Sequence, residues 1–146
     1  MSGTGDASAE AGRVLAIDPG AKRTGLAVSD ELGITAQGLE TYTGSRESLV
    51  EHIGRLAEEY DIITVVIGLP LSMSGVELEN AGLSRDLAAA IEKEYGIEVV
   101  LRDERMTSLE AERVMKQEGR IKKAGDIDRL SAVLLLSTYL EERGER

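Results

Sequence analysis

Two short apolar runs near the start of the chain, RVLAID at 13–18 and TGLAVS at 24–29, are separated by only five residues. A parallel connection needs a crossover of a dozen residues or more. These two runs are therefore predicted to pair as an antiparallel hairpin over the Gly20 to Gly25 turn. A third strand is predicted from Ile34 to Tyr42. Beyond it the periodicity changes: Ser45 stands where a helix cap belongs, and Leu49, Ile53, Leu56 and Ala57 form one apolar stripe. The all-apolar ITVVIGL from Ile63 then reads as a strand buried on both faces. A helix from about Glu79 to Tyr95, stopped by Gly96, the strand IEVVLR from Ile97, and two helices over 107–119 and 126–142 complete the chain.

A meander that feeds alternating helix and strand makes one mixed sheet with helices on its faces. In such sheets the ligand crevice lies beyond the carboxyl ends of the parallel strands. Asp18 ends the first strand, the loop Gly68 to Gly75 follows the fourth, and Asp103 and Glu104 end the fifth. Three separate segments are thus expected to converge.

Composition narrows what chemistry that place can hold. The 146 residues include no cysteine and one histidine, which excludes disulfides and thiolate metal sites and disfavours a histidine-ligated zinc. Carboxylates are the ligands available in number. Residues 1–12, MSGTGDASAEAG, are small and polar and read as a disordered tail ahead of a single domain over 13–146. No stretch approaches the roughly 20 apolar residues of a membrane span, so the expected location is cytoplasmic, with no membrane partner and a monomer or weak homodimer as the working form. The net charge of −10 argues against nonspecific nucleic-acid binding. Between Arg102 and Arg129, however, eight Lys or Arg face seven acids, and the stretch holding Lys116, Arg120, Lys122 and Lys123 is locally basic. Four tyrosines with no Phe or Trp offer few stacking platforms, so recognition should lean on phosphates and shape.

The stretches IDPGAKRTGLAVSD, VVIGLPLSMSG, DERMTSLEAE and IDRLSAVLLLSTYL, in that order and spacing, resemble the motifs of the YqgF family, also called RuvX. The resemblance implies a ribonuclease H-like fold of class α/β: a five-stranded mixed sheet with helices on both faces. It implies a metal-dependent nuclease processing the 5′ end of pre-16S ribosomal RNA, with RNA as the preferred partner. Resolution of Holliday junctions in branched DNA is the alternative. A noncatalytic nucleic-acid or ribosome-binding module is a second. The glycine loop is also similar to the first phosphate loop of actin-like ATPases, but those usually use two copies of the fold and a second phosphate motif, which leaves ATP binding the weaker reading.

Nucleases that use two divalent ions about 3.5 to 4 Å apart need several carboxylates around one phosphate, and magnesium or manganese takes oxygen ligands while keeping waters. On this reading Asp18, Glu104 and Asp128 are the catalytic metal ligands of a two-ion site. Alternation sends Asp103 and Glu104 to opposite faces, so one of the two enters directly; Glu104 is taken, with Asp103 in reserve. Periodicity does not choose between Asp126 and Asp128 at the start of the last helix, where either gains ~0.3 to 1 kcal/mol from the helix dipole. The resemblance places Asp128 at the final acidic position. Lys22, Arg23, Ser72, Arg105, Lys122 and Lys123 are the candidate substrate contacts, Arg105 equally serving as an ion-pair group. Family members commonly carry Asn and Asp where this chain has Ser72 and Ser74, so no acid or amide role is expected there. Thr107 and Glu110 have the spacing of a capping box, and His52 is expected on a helix surface without chemistry. Two carboxylates about 5 Å apart repel by roughly 3 kcal/mol at an effective dielectric near 20, and divalent binding is the ordinary way to offset that.

Overall fold

The computed structural model describes residues 12–20, 22–70, 81–103, 113 and 124–144. Among them are strands β1 (Arg13–Pro19), β2 (Thr24–Ser29) and β3 (Ala36–Gly38), helix α1 (Arg46–Tyr60), strand β4 (Ile62–Leu69), helix α2 (Ala81–Tyr95), strand β5 (Glu98–Asp103) and helix α3 (Ala124–Gly144). The sheet order is β3-β2-β1-β4-β5. β1 and β2 are antiparallel, as are β2 and β3, while β4 runs parallel to β1 and β5 parallel to β4. The short 20–23 connection and the helical crossovers dictate that mixture.

Alternation along the strands assigns each face its helix. Leu15, Ile17, Leu26, Val28, Val65 and Ile67 point one way and bury Leu49, Ile53 and Leu56 of α1 with Leu87 and Ile91 of α2. Each such side chain contributes roughly 1.5 to 3 kcal/mol when fully buried. The other face carries smaller residues. Val14, Ala16, Ala27 and Val66 pack beneath Ala132, Leu135, Leu136 and Leu140 of α3. Large residues therefore fill the space under two helices, and small ones let a single helix lie close.

Local chemistry fixes the ends of these elements. Ser45 is the N-cap of α1, its hydroxyl accepting from Ser48 N at 3.1 Å, as the sequence indicates. α1 closes at Asp61, whose left-handed backbone (φ 54°, ψ 54°) lets its N–H donate to Ala57 O. Gly96, at φ 65°, ends α2 with its N–H donating to Glu92 O at 2.9 Å. Helix α3 is pinned at both ends. Thr41 Oγ1 donates to Gly125 O at 2.8 Å, and Arg102 grips Glu142 through both guanidinium nitrogens.

Three expectations need correction. The strand predicted over Ile34 to Tyr42 shrinks to Ala36–Gly38, followed after a break by an isolated bridge between Tyr42 and Thr24. Asp30 takes Ile34 out of the ladder, since its Oδ1 accepts from Ile34 N at 2.7 Å and Thr35 N at 3.1 Å, an Asp-seeded turn. The last helix opens at Ala124 rather than at residue 126 and runs to Gly144. His52 is half-buried rather than on the surface and stacks on Tyr42, ring centroids 5.2 Å apart. The tail, except for Gly12, and nearly all of the predicted 107–119 helix lie outside the described residues. No described helix is long and apolar enough to cross a membrane.

Candidate active site

Asp18 lies in β1 directly across from Gly25 of β2. Residues paired in this way present their side chains to the same face. Parity with Val14 and Ala16 puts that face under α3, and Asp18 is buried there with 9% of its surface exposed. Gly25 has no side chain, and the reason is visible. A Cβ built on it would lie 2.0 Å from the carbonyl oxygen of Asp128 and 3.4 Å from its Cα. The backbone of α3 at Asp128 therefore occupies the space a side chain would take, beside Asp18. Gly25 thus admits a helix backbone.

Asp128 sits five residues into α3, past the first turn within which the helix dipole acts. Capping therefore explains Asp126, which is in the first turn, better than Asp128. What holds the Asp128 carboxylate is Arg23, whose Nε donates to Oδ2 at 2.8 Å. Both side chains are partly exposed, 35% for Arg23 and 24% for Asp128. Lys22 is exposed on the same loop. The tight loop is closed by Gly20, where a Cβ would lie 2.5 Å from Arg23 O.

On β5, Val100 packs into the α3 layer and Arg102 reaches Glu142 of α3, whereas Val99 and Leu101 belong to the opposite core. Alternation puts Asp103 on the face of Val99 and Leu101, opposite that of Asp18. Asp103 is exposed there. The structure thus brings Asp18, Asp128, Arg23 and Lys22 to one end of the sheet and leaves Asp103 on the other side. Glu104, Ser72, Arg105, Lys122 and Lys123 lie outside the described residues. Among the described residues no three His, Asp or Glu form a metal-holding group. The donor set that is present nonetheless suits a hard divalent cation, with one buried and one half-buried carboxylate.

Sequence reasoning did not find Thr41, whose hydroxyl ties the first turn of α3 to the segment before α1. No local signal marks it. The closeness of Gly25 to Asp128 had one, since 14, 16, 18 and 25, 27, 29 share a face and most of these residues are small.

A five-stranded sheet in this order, with two helices on one face and a long helix on the other, defines a protein of the ribonuclease H-like fold. RuvC of Thermus thermophilus, solved in complex with a Holliday junction substrate, shares it at TM-score 0.60 over 92% of this chain and 96% of that one, with 16% identity. So does the large terminase nuclease of thermophilic phage G20c, at TM-score 0.54 over 88% and 81%, with 13% identity. At those identities the likeness concerns fold alone. The family model described as "RuvX: Holliday junction resolvase" matches residues 12–142, and the chain belongs to that family. Its relatives include a Koribacter versatilis protein named "Putative pre-16S rRNA nuclease", 47% identical over 94% of this chain and 92% of the relative. A Geobacillus protein of the same name is 40% identical over 90% and 99%.

Proposed function

We propose that this protein is a metal-dependent endonuclease that processes the 5′ end of pre-16S ribosomal RNA. The observation that carries the proposal is the placing of Asp128 backbone against Gly25, which brings a helix acid beside a buried strand acid at the loop end of the central strand. Relatives named for pre-16S rRNA support RNA as the substrate, whereas the family description names Holliday junctions.

Asp18 and Asp128 hold magnesium or manganese, and Glu104 is the third ligand. Parity supports Glu104 over Asp103, because Asp103 falls on the face away from Asp18. Ions bound there supply an activated water and the charge that stabilises the leaving oxygen. The chain's own groups do the rest. Burial of Asp18 fixes its position, and Lys22 and Arg23 at the loop rim take the phosphates flanking the cleaved bond. Ser72, Arg105, Lys122 and Lys123 extend that contact. The protein works in the cytoplasm as a monomer or weak dimer.

Cleavage of a 5′-extended 16S precursor and of a four-way DNA junction, at equal salt with Mg or Mn, tests the proposal. RNA should be cut in a metal-dependent manner, and Asp18→Asn should remove cutting while melting as a folded protein. Wild-type-like cutting by Asp18→Asn would overturn the site. Symmetric junction cutting with inert RNA would reverse the substrate.

A further inference from the structure

The proposed site is a set of acids, yet among the described residues the side-chain partner of Asp128 is a cation from the facing hairpin. Arg23 Nε reaches Oδ2 at 2.8 Å, and this single bond uses one of five guanidinium donors. Among the described residues no other acceptor meets Arg23, and its side chain is 35% exposed at the loop rim beside the exposed Lys22. On the other partner, Oδ1 has no described hydrogen bond. The pair is therefore half-used on both sides: a carboxylate oxygen on one, and the planar pair of terminal amino groups on the other. Arg–carboxylate pairs frequently close both with two parallel bonds. Arg102 and Glu142 do so in this protein.

We infer that Arg23 is a positioning residue that links the acid site to the substrate: its Nε fixes the orientation of Asp128 with Oδ1 left for a divalent ion, and its two terminal nitrogens take a substrate phosphate. The inference rests on the metal-site reading above and deepens it, since it makes metal affinity depend on a residue that touches no metal. Partners that orient a ligating carboxylate typically affect metal affinity about 10- to 100-fold. Lysine does not replace arginine here. Its ammonium is a point charge on a flexible stem and cannot hold a carboxylate along one edge while presenting a planar fork to phosphate.

The test uses the full chain, Mn titrated by electron paramagnetic resonance, and binding of the 16S precursor in EDTA at several salt concentrations, so that no reading depends on catalysis. Arg23→Lys should weaken Mn binding about tenfold and weaken RNA binding with its salt slope retained. Arg23→Gln should weaken Mn similarly and lower the magnitude of the salt slope by about one. In an Asp128→Asn background, Arg23→Lys should cost no further Mn affinity, because Arg23 acts through that carboxylate. Both Arg23 variants should melt within a few degrees of wild type in EDTA, as a partly exposed ion pair contributes little. Wild-type Mn affinity in Arg23→Lys, costs that add in the Asp128→Asn background, or an unchanged salt slope in Arg23→Gln overturns the inference while leaving the metal site standing. Absence of Mn binding by the wild type overturns both.

Discussion

At the scale of single residues, Gly25 does the most with the least. Its missing Cβ is the gap into which Asp128 O projects at 2.0 Å, and the opposing atom is helix backbone that cannot swing aside. Gly25→Ala must push α3 outward. Overpacking of this kind costs typically 1 to 3 kcal/mol, so the variant should melt several degrees lower and bind Mn more weakly, because Asp128 moves away from Asp18. Parallel melting and Mn titration check this, and a variant that melts normally with wild-type Mn affinity would show that the close approach is dispensable. His52 supplies a second residue-scale expectation. Burial disfavours its charged form and holds its pKa below the ordinary value, with Arg55 adding to the effect. Between that lowered pKa and about 6.5 the unfolded chain binds more protons than the native one, so this group's contribution to stability falls as pH drops through that window. The melting-temperature advantage of wild type over His52→Gln should accordingly shrink from pH 8 to pH 5.5. An advantage that grows on acidification would contradict the sign.

At the scale of elements, caps and alternation were legible and turn competition was not. The Ser45 cap, the Leu49–Ile53–Leu56 stripe, the Gly96 stop and the 13–18 and 24–29 hairpin all follow from local rules that nothing in the tertiary structure opposes. β3 failed because Asp30 offers Ile34 and Thr35 a side-chain acceptor that competes with the ladder, and the apolar run gives no sign of which wins. The site divides similarly. The buried place of Asp18 at the end of an apolar run was legible. Alternation alone said only that Asp103 and Glu104 face opposite ways, and it took the packing of Val99 and Leu101 to show which face carries Asp103. The grip of Arg23 on Asp128, 105 residues apart, was not legible, since no local pattern pairs two segments at that distance. That grip also sets an expectation for α3. Bare repulsion between Asp18 and Asp128 would make Asp128→Asn raise the melting point in EDTA, but the Arg23 guanidinium already offsets part of it. The variant should therefore change stability in EDTA by less than about 1 kcal/mol in either direction. A large fall in EDTA would mark Asp128 as a structural acid.

At the scale of the whole molecule, the sheet joins two cores of unequal grain. The Leu- and Ile-rich layer under α1 and α2 holds the fold, while the Ala- and Gly-rich layer under α3 lets that helix approach β2 closely at Asp128. On the metal-site proposal, Asp18 and Asp128 share a divalent ion only in the native state; in the unfolded chain they are far apart and would bind it poorly. A ligand that binds the native state alone stabilises by RT ln(1 + [L]/Kd), about 2.7 kcal/mol at a hundredfold excess over Kd. For a domain of this size that raises the melting temperature by roughly 5 to 10 °C. Saturating Mn should therefore stabilise the wild type by that amount, leave Asp18→Asn nearly unmoved, and move Gly25→Ala only at higher Mn, because its site is intact in composition but opened in geometry. Calcium, which takes the same oxygen donors, should also raise the melting point, so that stabilisation reads occupancy separately from cutting. Equal stabilisation of wild type and Asp18→Asn by Mn would place the ion elsewhere on this acidic chain and remove the strand acid from the site.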